Sequence, residues 1–467
     1  MSGFNTFQRI HFIGVGGIGM SAVARLLLKQ GYTVTGSDLR QSSITENLVR
    51  EGAQVFIGHD SSCIAEADCI VVSSAIQDSN PEYQAAVERS CPILTRAEAL
   101  ACVMGPFKHK IMVAGTHGKT TTSAMIATVL RYGSRQGAFA VGAILNDVGS
   151  NAEMGEQRDY FVAEADESDG SFLSLDPTLA VITNIEEDHM EYFKTAKNLT
   201  AHFEQFLKKV QGNCGTVFIN KDDQVAYDMA CQFPPELCRF FSIQSSSDVK
   251  AKNVSYLQQG IAFDLELFGQ DQGRIQLRCF GWHNVYNALA AISVCVHEAI
   301  PVRDIVTALE SFSGTKRRLE FLGEYHGISF YDDYGHHPTE IKTTLEGLKR
   351  SMDKPIVCIF QPHKYSRTQH FLDDFSESFY NADEVIITDI YSANEANPNN
   401  VSSRAIVDSM RKKSGQKVSF ISEMNTISGF LVPSLNQDKV VVTMGAGDIH
   451  LVSQHLIHDL KQQKTRH

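Results

Sequence analysis

One stretch of the chain decides the fold: Val113-Ala114-Gly115-Thr116-His117-Gly118-Lys119-Thr120-Thr121-Thr122. It follows an apolar run that predicts a strand over residues 110–114, and it opens a helical pattern over residues 123–131. The two glycines allow the backbone to curl around phosphate oxygens, Lys119 supplies a positive charge, and the hydroxyl of Thr120 or Thr121 can reach Mg²⁺. Val113 stands where the usual phosphate loop has its first glycine. The stretch predicts a nucleotide phosphate site in an α/β domain.

The composition indicates a globular protein of several domains. At ~150 residues per domain, 467 residues suggest roughly three domains. Hydrophobic residues make up 43% and charged residues 21%, which excludes intrinsic disorder and collagen-like repeats. The net charge of −12 argues against general binding of nucleic acid or anionic membrane.

Cysteine usage and the N-terminus predict the compartment. None of the 10 cysteines forms a CxxC pair, which favours buried free thiols in a reducing compartment. No apolar run approaches the ~18–20 residues of a membrane span. The N-terminal segment enters a strand without the basic and apolar regions of a signal peptide. We therefore expect a cytoplasmic protein.

Short apolar runs alternate with helical patterns along most of the chain. This alternation predicts parallel, doubly wound sheets. The pattern relaxes at residues 104–110 and 311–316, so we place domains at residues 1–107, 108–313 and 314–467. Within the middle domain, residues 260–278 alternate apolar and polar side chains and are predicted to form antiparallel strands.

A second glycine-rich turn lies near the N-terminus and reads Gly14-Val15-Gly16-Gly17-Ile18-Gly19. It matches G-x-G-x-x-G between a predicted strand and a predicted helix, and Asp38 follows at about the spacing of a ribose-binding acid. Such glycines let backbone N–H groups approach a diphosphate at a helix N-terminus. The motif fits a dinucleotide such as NAD or a nucleoside diphosphate, and a turn without a ligand is the alternative.

Two acidic segments follow predicted strands of the middle domain. Residues 161–169 read F-V-A-E-A-D-E-S-D, and residues 183–190 read T-N-I-E-E-D-H-M. Carboxylates at strand ends beside a phosphate loop suit Mg²⁺, which prefers oxygen ligands. The residues alone do not choose between Glu164 and Glu167, and a solvated acidic loop is the alternative.

The sequence resembles the Mur ligases, which extend the peptide of bacterial cell-wall precursors. The resemblance rests on A-G-T-H-G-K-T-T-T at the phosphate loop, G-V-G-G-I-G-M at the N-terminal turn, and further blocks from Ile10 to about Gly447. It implies a Rossmann-like N-terminal domain, a central mononucleotide-binding ATPase domain and a Rossmann-like C-terminal domain. It also implies ATP and Mg²⁺ as cofactors.

The resemblance assigns site residues by motif. For ATP it implies Gly115, Thr116, His117, Gly118, Lys119, Thr120, Thr121, Asn284, Asn287, Arg318 and Asp333. For a UDP-linked sugar it implies Gly14, Gly16, Gly17, Gly19, Met20 and Asp38, with Ser73 and Ser74 nearby. The implied metal-site residues are Thr120, Glu164 and His189, and the implied catalytic residues are Lys119, His189, Arg318 and His337.

The block Tyr331-Asp332-Asp333-Tyr334-Gly335-His336-His337-Pro338 is the most distinctive part of the C-terminal domain. Pro338 fits the first position of a helix whose core face carries Ile341, Leu345 and Leu348. From the residues alone, the paired Asp and His side chains could hold a metal, or they could be helix caps and core histidines. The resemblance places the His pair near the reacting centre.

His363 and Arg367 match the family segment P-H-[RK]-[YF]-[ST]-R-T. The resemblance implies that they bind the carboxylate of the amino acid or of muramic acid. The implied activity joins L-alanine to UDP-N-acetylmuramate through an acyl phosphate, by a monomer or homodimer without nucleic acid or membrane partners. Glycine or serine could replace alanine, because one methyl group is worth only ~1–3 kcal/mol in an apolar pocket.

Three rival functions remain open at this point. A family relative that joins a whole tripeptide has a Cys between the glycines of its N-terminal turn, whereas Gly16 and Gly17 are adjacent here. An NAD-dependent dehydrogenase would use the first turn and leave the phosphate loop without a role. A nucleotide-sensing module would use both loops but would not need Asp333, the His pair or Arg367.

Overall fold

The computed structural model describes residues 4–133, 135, 137–397, 399–413, 415–435 and 437–463. These residues form two compact units. The first comprises the chain up to residue 252 with residues 265–273 and 286–312, and the second comprises residues 253–264, 274–285 and those from 313 onward. Three separate sheets with helices between their strands give the predicted α/β class.

The first sheet is parallel throughout and has the order β3-β2-β1-β4-β5. Its strands are β1 (Arg9–Ile13), β2 (Thr33–Asp38), β3 (Gln54–Ile57), β4 (Cys69–Val72) and β5 (Ile93–Thr95). Its helices are α1 (Ile18–Lys29), α2 (Ser43–Arg50), α3 (Pro81–Glu88) and α4 (Arg96–Met104). Because β1 is central, the glycine turn that follows it lies at the carboxyl edge, where doubly wound sheets bind ligands.

The second sheet contains the phosphate loop and has the order β15-β14-β13-β12-β11-β10-β6-β9-β7-β8. Its strands are β6 (His109–Ala114), β7 (Ala138–Leu145), β8 (Ser150–Glu153), β9 (Tyr160–Glu164), β10 (Leu179–Ile182), β11 (Thr216–Asn220), β12 (Cys238–Ser242), β13 (Val249–Leu257), β14 (Gly260–Leu267) and β15 (Gln270–Leu277). The helices are α5 (Lys119–Tyr132), α6 (Met190–Phe193), α7 (Ala196–Gly212), α8 (Gln224–Ala230), α9 (Trp282–His297) and α10 (Val302–Ser311). Strand β6 pairs in parallel with both β9 and β10, so the loops after these three strands meet at one edge.

The strands at the two ends of this sheet differ from its parallel centre. Phe268 and Gly269 join β14 to β15 with φ values of 49° and 80°, the geometry of a two-residue antiparallel hairpin turn, as predicted for residues 260–278. Residues of β13, β14 and β15 are divided between the two units. At the other end, β8 is antiparallel to β7, a pair that the sequence pattern did not predict.

The third sheet lies within the second unit and has the order β16-β17-β21-β18-β19-β20. Its strands are β16 (Glu320–Tyr325), β17 (Ile328–Asp333), β18 (Ile356–Phe360), β19 (Glu384–Ile387), β20 (Lys417–Phe420) and β21 (Val440–Met444). Its helices are α11 (Pro338–Ser351), α12 (Tyr365–His370), α13 (Leu372–Glu377), α14 (Arg404–Lys413), α15 (Met424–Leu431) and α16 (His450–Gln463). Only the edge strand β16, which was not predicted, is antiparallel to its neighbour among the described pairs.

The cores consist of the buried strands and the apolar faces of the helices. Helix α11 begins with Pro338 at its first turn and buries Ile341, Leu345 and Leu348 completely, as the spacing predicts. Short 3₁₀ helices occur at Phe4–Thr6, Ser61–Ile64, Ser171–Ser174 and Val432–Ser434. Among the described residues, no helix has both the length and the apolar character that crossing a membrane requires.

The cysteines are free thiols, as predicted, but not all of them are buried. Cys69, Cys238, Cys295 and Cys358 are buried, whereas Cys214 and Cys231 are exposed. The prediction of uniformly buried thiols was therefore wrong for these two, because both lie just after helices, at the surface.

Candidate functional site

The phosphate loop connects β6 to α5 and leaves the start of α5 open to a ligand. Gly115 and Gly118 have φ values of 131° and 83°, which side-chain-bearing residues rarely adopt. Gly118 is the N-cap of α5, and no side chain caps the helix. The first N–H groups of a helix have no partner within it and form an anion site with the helix dipole.

Side chains from the loop after β10 hold the phosphate loop in this shape. The backbone N–H of His117 donates to Asn184 Oδ1 at 2.9 Å, and Thr183 Oγ1 donates to the His117 carbonyl oxygen at 2.6 Å. Thr116 Oγ1 accepts from the Glu186 N–H at 2.9 Å. A Cβ on Gly115 would lie 2.1 Å from Thr183 Oγ1, so only glycine fits this close approach. These contacts position the loop before any ligand binds.

The side chain of Lys119 is 14% exposed in the loop, and its charge is neutralised by Glu167. Its Nζ lies 2.9 and 2.8 Å from the two Glu167 carboxylate oxygens, and it also donates to the Gly115 carbonyl oxygen at 2.6 Å. Burial alone would lower the pKa of Lys119, but the carboxylates of Glu167 and Asp166 more than offset this and raise it. Lys119 is therefore an ammonium group at working pH.

The acidic loop after β9 gives its carboxylates different environments. Glu167 is buried and occupied by Lys119. Glu164 is half-buried, and one of its oxygens accepts the Gly142 N–H at 2.5 Å. The role of Glu164 as a metal ligand stays a prediction. A carboxylate together with the buried hydroxyl of Thr120 is the oxygen donor set that Mg²⁺ prefers.

His189 lies after β10, at the start of α6, with a left-handed φ of 54°. Its ring nitrogens lie 3.6 Å from Asp188 Oδ2 and 3.7 Å from Glu191 Oε1. A histidine between two carboxylates is suited to hold a cation or a proton. The metal and catalytic roles of His189 stay predictions.

Asn287 of α9 packs directly against the phosphate loop. Its Oδ1 lies 3.2 Å from Thr122 Oγ1. A Cβ on Gly118 would lie 2.4 Å from the same Asn287 oxygen. The helix therefore brings a distant part of the chain to the predicted ATP site. Asn284, one turn earlier, is also buried and donates from Nδ2 to the Phe280 carbonyl oxygen at 2.8 Å. Both asparagines are thus buried, although the residues alone also fit a helix cap and a surface side chain.

The N-terminal glycine turn uses Asp38 as a structural partner. The Gly16 N–H donates to Asp38 Oδ2 at 2.9 Å, and a Cβ at position 16 would lie 2.7 Å from that oxygen. Gly14 has a φ of 84° and packs on Ser73, whose Cβ would lie 3.2 Å from a Cβ at position 14. Asp38 thus holds the turn, and contact with a ribose stays a prediction.

The remaining predicted residues of this turn lie around it. Gly17 is the N-cap of α1 without a side-chain cap, Gly19 and Met20 belong to the first turn of α1, and Met20 is buried. Ser74 follows Ser73 and is exposed. The turn therefore presents backbone N–H groups at an uncapped helix start, as a diphosphate site requires.

In the second unit, the segment Arg317–Leu319 is bound to the end of β17. Asp333 is buried, and its carboxylate accepts the N–H groups of Leu319 at 2.7 Å and Gly335 at 2.6 Å. Burial raises the pKa of Asp333 to about 6, although the Arg318 charge opposes this. Arg318 lies 3.6 Å from Glu340 Oε1, with its guanidinium 5.4 Å from the centre of the Tyr334 ring.

The histidines and Arg367 gather at the carboxyl ends of β17 and β18. The His363 ring lies 5.4 Å from the His336 ring and stacks on Tyr391 at 5.8 Å. Arg367 is buried, with Nη1 3.2 Å from His363 Nδ1. A buried guanidinium beside imidazoles can bind a carboxylate. Amino-acid binding by His363 and Arg367 stays a prediction.

His337 caps a helix, which is one of the two roles that the sequence left open for the His pair, the other being metal binding. It is the N-cap of α11, and its Nδ1 accepts the Thr339 N–H at 3.3 Å, while Glu340 accepts the His337 N–H at 3.2 Å. Glu340, three residues after His337, completes a capping box at the start of the helix. The catalytic role of His337 stays a prediction.

Sequence reasoning did not predict the contacts of three residues that shape these sites. Glu167 is the partner of Lys119, Asn184 holds the phosphate loop, and Arg317 binds the buried Asp332 with Nε 3.1 Å from Oδ2. The contacts of Glu167 and Asn184 join residues far apart in sequence. Arg317 belongs to a charge-rich segment whose pattern is typical of a solvated surface. The position of Asn184 after a strand that pairs with β6 was the one available signal.

The fold and both glycine loops define a nucleotide-binding α/β protein. Residues 9–108 match the Mur ligase family catalytic domain, residues 113–295 the Mur ligase middle domain, and residues 317–447 the Mur ligase glutamate ligase domain. The chain belongs to the Mur ligase family and has its three-domain α/β fold. The predicted limits at residues 107 and 313 stay predictions.

Individual relatives narrow the comparison within the family. UDP-N-acetylmuramate–L-alanine ligase from Geotalea daltonii is 40% identical, covering 98% of this chain and 99% of that protein. The enzyme of the same name from Desulforamulus reducens is 39% identical over 98% of both chains. A crystal structure of UDP-N-acetylmuramate–alanine ligase from Thermotoga maritima matches with a TM-score of 0.84 and 28% identity, covering 97% of this chain and 99% of that one. A murein peptide ligase from Psychrobacter arcticus shares the fold, with a TM-score of 0.73 and 24% identity.

Proposed function

We propose that this protein is an ATP-dependent ligase that joins L-alanine to UDP-N-acetylmuramate, releasing ADP and phosphate in the synthesis of peptidoglycan precursors. The names of the full-length relatives support this substrate pair. The observation that carries the proposal is the phosphate loop, where Lys119, the uncapped start of α5 and Asn287 converge. A dehydrogenase would give this loop no role.

The chemistry follows from the poor reactivity of a carboxylate toward an amine. The muramic acid carboxylate attacks the γ-phosphorus of ATP, the bond from that phosphorus to the β,γ-bridging oxygen breaks, and an acyl phosphate and ADP form. The amino group of alanine then attacks the acyl carbon, phosphate leaves, and the nitrogen loses a proton. Both steps move negative charge through the phosphate loop, which lies at the edge where the loops after β6, β9 and β10 meet.

We assign the phosphoryl-transfer residues to the first unit. Lys119 neutralises charge on the transferring phosphoryl group, and the N–H groups at the start of α5 bind the phosphate oxygens. Exchange of Glu167 for a phosphate oxygen keeps the Lys119 ammonium paired. Thr120 and Glu164 would hold Mg²⁺, which, when bound, neutralises the phosphates as a Lewis acid. We assign His189, which lies between Asp188 and Glu191, as a proton or cation holder.

We assign recognition of the other substrates to the remaining sites. The turn at Gly14–Gly19 takes the diphosphate of the UDP-linked sugar, and Arg318 and Asp333 are assigned to ATP. His363 and Arg367 bind a substrate carboxylate. Because ATP and UDP-linked precursors are the substrates, we place the reaction in the cytoplasm, carried out by a monomer or homodimer.

The direct test incubates the protein with ATP, Mg²⁺, UDP-N-acetylmuramate and one amino acid at a time. We expect phosphate release that depends on L-alanine, with slower release for glycine and L-serine, and a product whose mass has gained one alanine residue. Release that needs the tripeptide instead would indicate the tripeptide-joining relative. Reduction of NAD without phosphate release would refute the proposal.

A further inference from the structure

Arg96, the first residue of α4, reaches two loops that belong to different sheets. Its side chain lies over Gly19 in the first turn of α1, where a Cβ would lie 2.9 Å from Arg96 Cδ and 3.2 Å from Nη1. Its Nη2 lies 3.3 Å from Asp166 Oδ2 in the acidic loop after β9. One guanidinium thus lies between the N-terminal glycine turn and the carboxylates beside Lys119.

This location is fixed rather than variable, because the first sheet is anchored to the second within one unit. Asn151 of β8 is buried and donates from Nδ2 to Ser21 Oγ at 3.2 Å and to the Ile18 carbonyl oxygen. Arg25 of α1, itself buried, also bonds Asn151. Helix α1 is therefore held against β8, and Arg96 spans a set distance to Asp166.

The ion pair with Asp166 does not by itself explain the arrangement. Both side chains are partly exposed, at 28% and 37%, and such pairs contribute only ~0–1 kcal/mol to stability. The Asp166 carboxylate oxygen nevertheless lies 3.3 Å from Arg96 Nη2 and so orients the guanidinium. A Cβ at position 19 would have to displace the Arg96 side chain.

The chemistry around Arg96 matches an anion with two phosphates. Helix α1 has no side-chain cap at Gly17, and the Arg96 side chain packs on Gly19 in the first turn of the same helix. Arginine binds phosphate oxygens in pairs through its planar fork. Resting on the proposed function, we propose that Arg96 binds the diphosphate of the sugar nucleotide together with the start of α1, and that Asp166 orients the Arg96 guanidinium for this contact.

Calorimetric titration of the full-length protein with UDP and with UMP tests this inference. Arg96→Met should weaken UDP binding at least tenfold and UMP binding less than threefold, and it should leave ATP binding within twofold of wild type. Arg96→Lys should recover part of the UDP affinity, since a point charge cannot form the paired contact. Arg50→Met is the matched control, because Arg50 is an exposed arginine of the same domain that pairs with Glu46.

Steady-state kinetics separate this role from a structural one. Arg96→Met should raise KM for UDP-N-acetylmuramate while kcat and KM for ATP change less than threefold. Gly19→Ala is the second variant, because its added Cβ displaces the guanidinium without removing it, and it should give the same selective loss. Equal weakening of UDP and UMP, unchanged UDP affinity, or a loss confined to ATP would overturn the inference. Failure of the wild-type protein to bind UDP or to ligate would instead count against the proposed function.

Discussion

Lys119 pairs with the buried Glu167 inside the phosphate loop, with Nζ 2.9 and 2.8 Å from the two carboxylate oxygens. The side chain of Glu167 is only 2% exposed, so neither charge is well solvated without the other. The pair therefore keeps the ammonium charged and in place between turnovers. Its two members should differ in what their removal does to stability and to catalysis.

Glu167→Gln should destabilise the protein by about 2 kcal/mol, because it leaves the mostly desolvated Lys119 ammonium without its counter-charge. The double variant Lys119→Met with Glu167→Gln should recover most of that loss, since both charges are gone. Lys119→Met, alone or in the double variant, should abolish ADP release. Chemical denaturation and an ADP assay measure the two effects. A double variant that stays as unstable as Glu167→Gln would show that the pair is not the cause.

Gly118→Ala should impair ATP binding for a reason that its matched control lacks. Alanine at a positive φ costs ~1–2 kcal/mol by itself. Gly149 has a φ of 69° with open space around its Cβ direction, whereas a Cβ at Gly118 would lie 2.4 Å from Asn287 Oδ1. Gly149→Ala should therefore lose stability with KM for ATP unchanged, and Gly118→Ala should also raise that KM at least tenfold. Equal KM values for the two variants would exclude a role for the Asn287 contact.

The strand, loop and helix around Lys119 could be predicted because their signals are local. Glycines at two positions and a lysine after them define the loop, and apolar residues on either side define β6 and α5. The contact of Gly118 with Asn287 could not be predicted, because it joins residues of α5 and α9 through the packing of one sheet. The resemblance supplied Asn287, but not the reason for its position.

The sequence did not predict the edge strands of the sheets or the partners of individual carboxylates. Strand β8 reads Ser-Asn-Ala-Glu and has no apolar alternation, so only pairing with β7 makes it a strand. The pairing of Glu167 with Lys119 is likewise a matter of folded geometry, because the two residues lie in different loops. The structure also gives Asp38 a contact within its own turn that motif spacing does not reveal.

Arg317 and Arg318 are adjacent but should give opposite results on substitution. Arg317 donates from Nη2 to the Gly445 carbonyl oxygen at 2.7 Å and pairs with the buried Asp332. Arg317→Met should therefore cost about 3 kcal/mol of stability by leaving that carboxylate unpaired. Arg318→Met should change stability by less than ~1 kcal/mol, because its partner Glu340 is partly solvated, and should raise KM for ATP. Thermal unfolding and ATP kinetics measured on both variants distinguish these roles, and the reverse pattern would contradict them.

Asp333 should make the stability of the second unit depend on pH in an unusual direction. Burial raises its pKa to about 6, against 3.8 for the unfolded chain, with Arg318 lowering and Glu340 raising it. The folded state therefore binds the proton first, and the contribution of Asp333 to stability increases as the pH falls from 7.5 to 5. The gain over this range should be about 1 kcal/mol relative to Asp333→Asn, which cannot titrate. Hydrogen exchange of the β17 amides, compared between the two proteins at each pH, measures it.

Asp408→Asn, an exposed site in α14, controls for the loss of one negative charge. A difference that stays constant or shrinks toward pH 5 would show that burial does not hold the Asp333 proton.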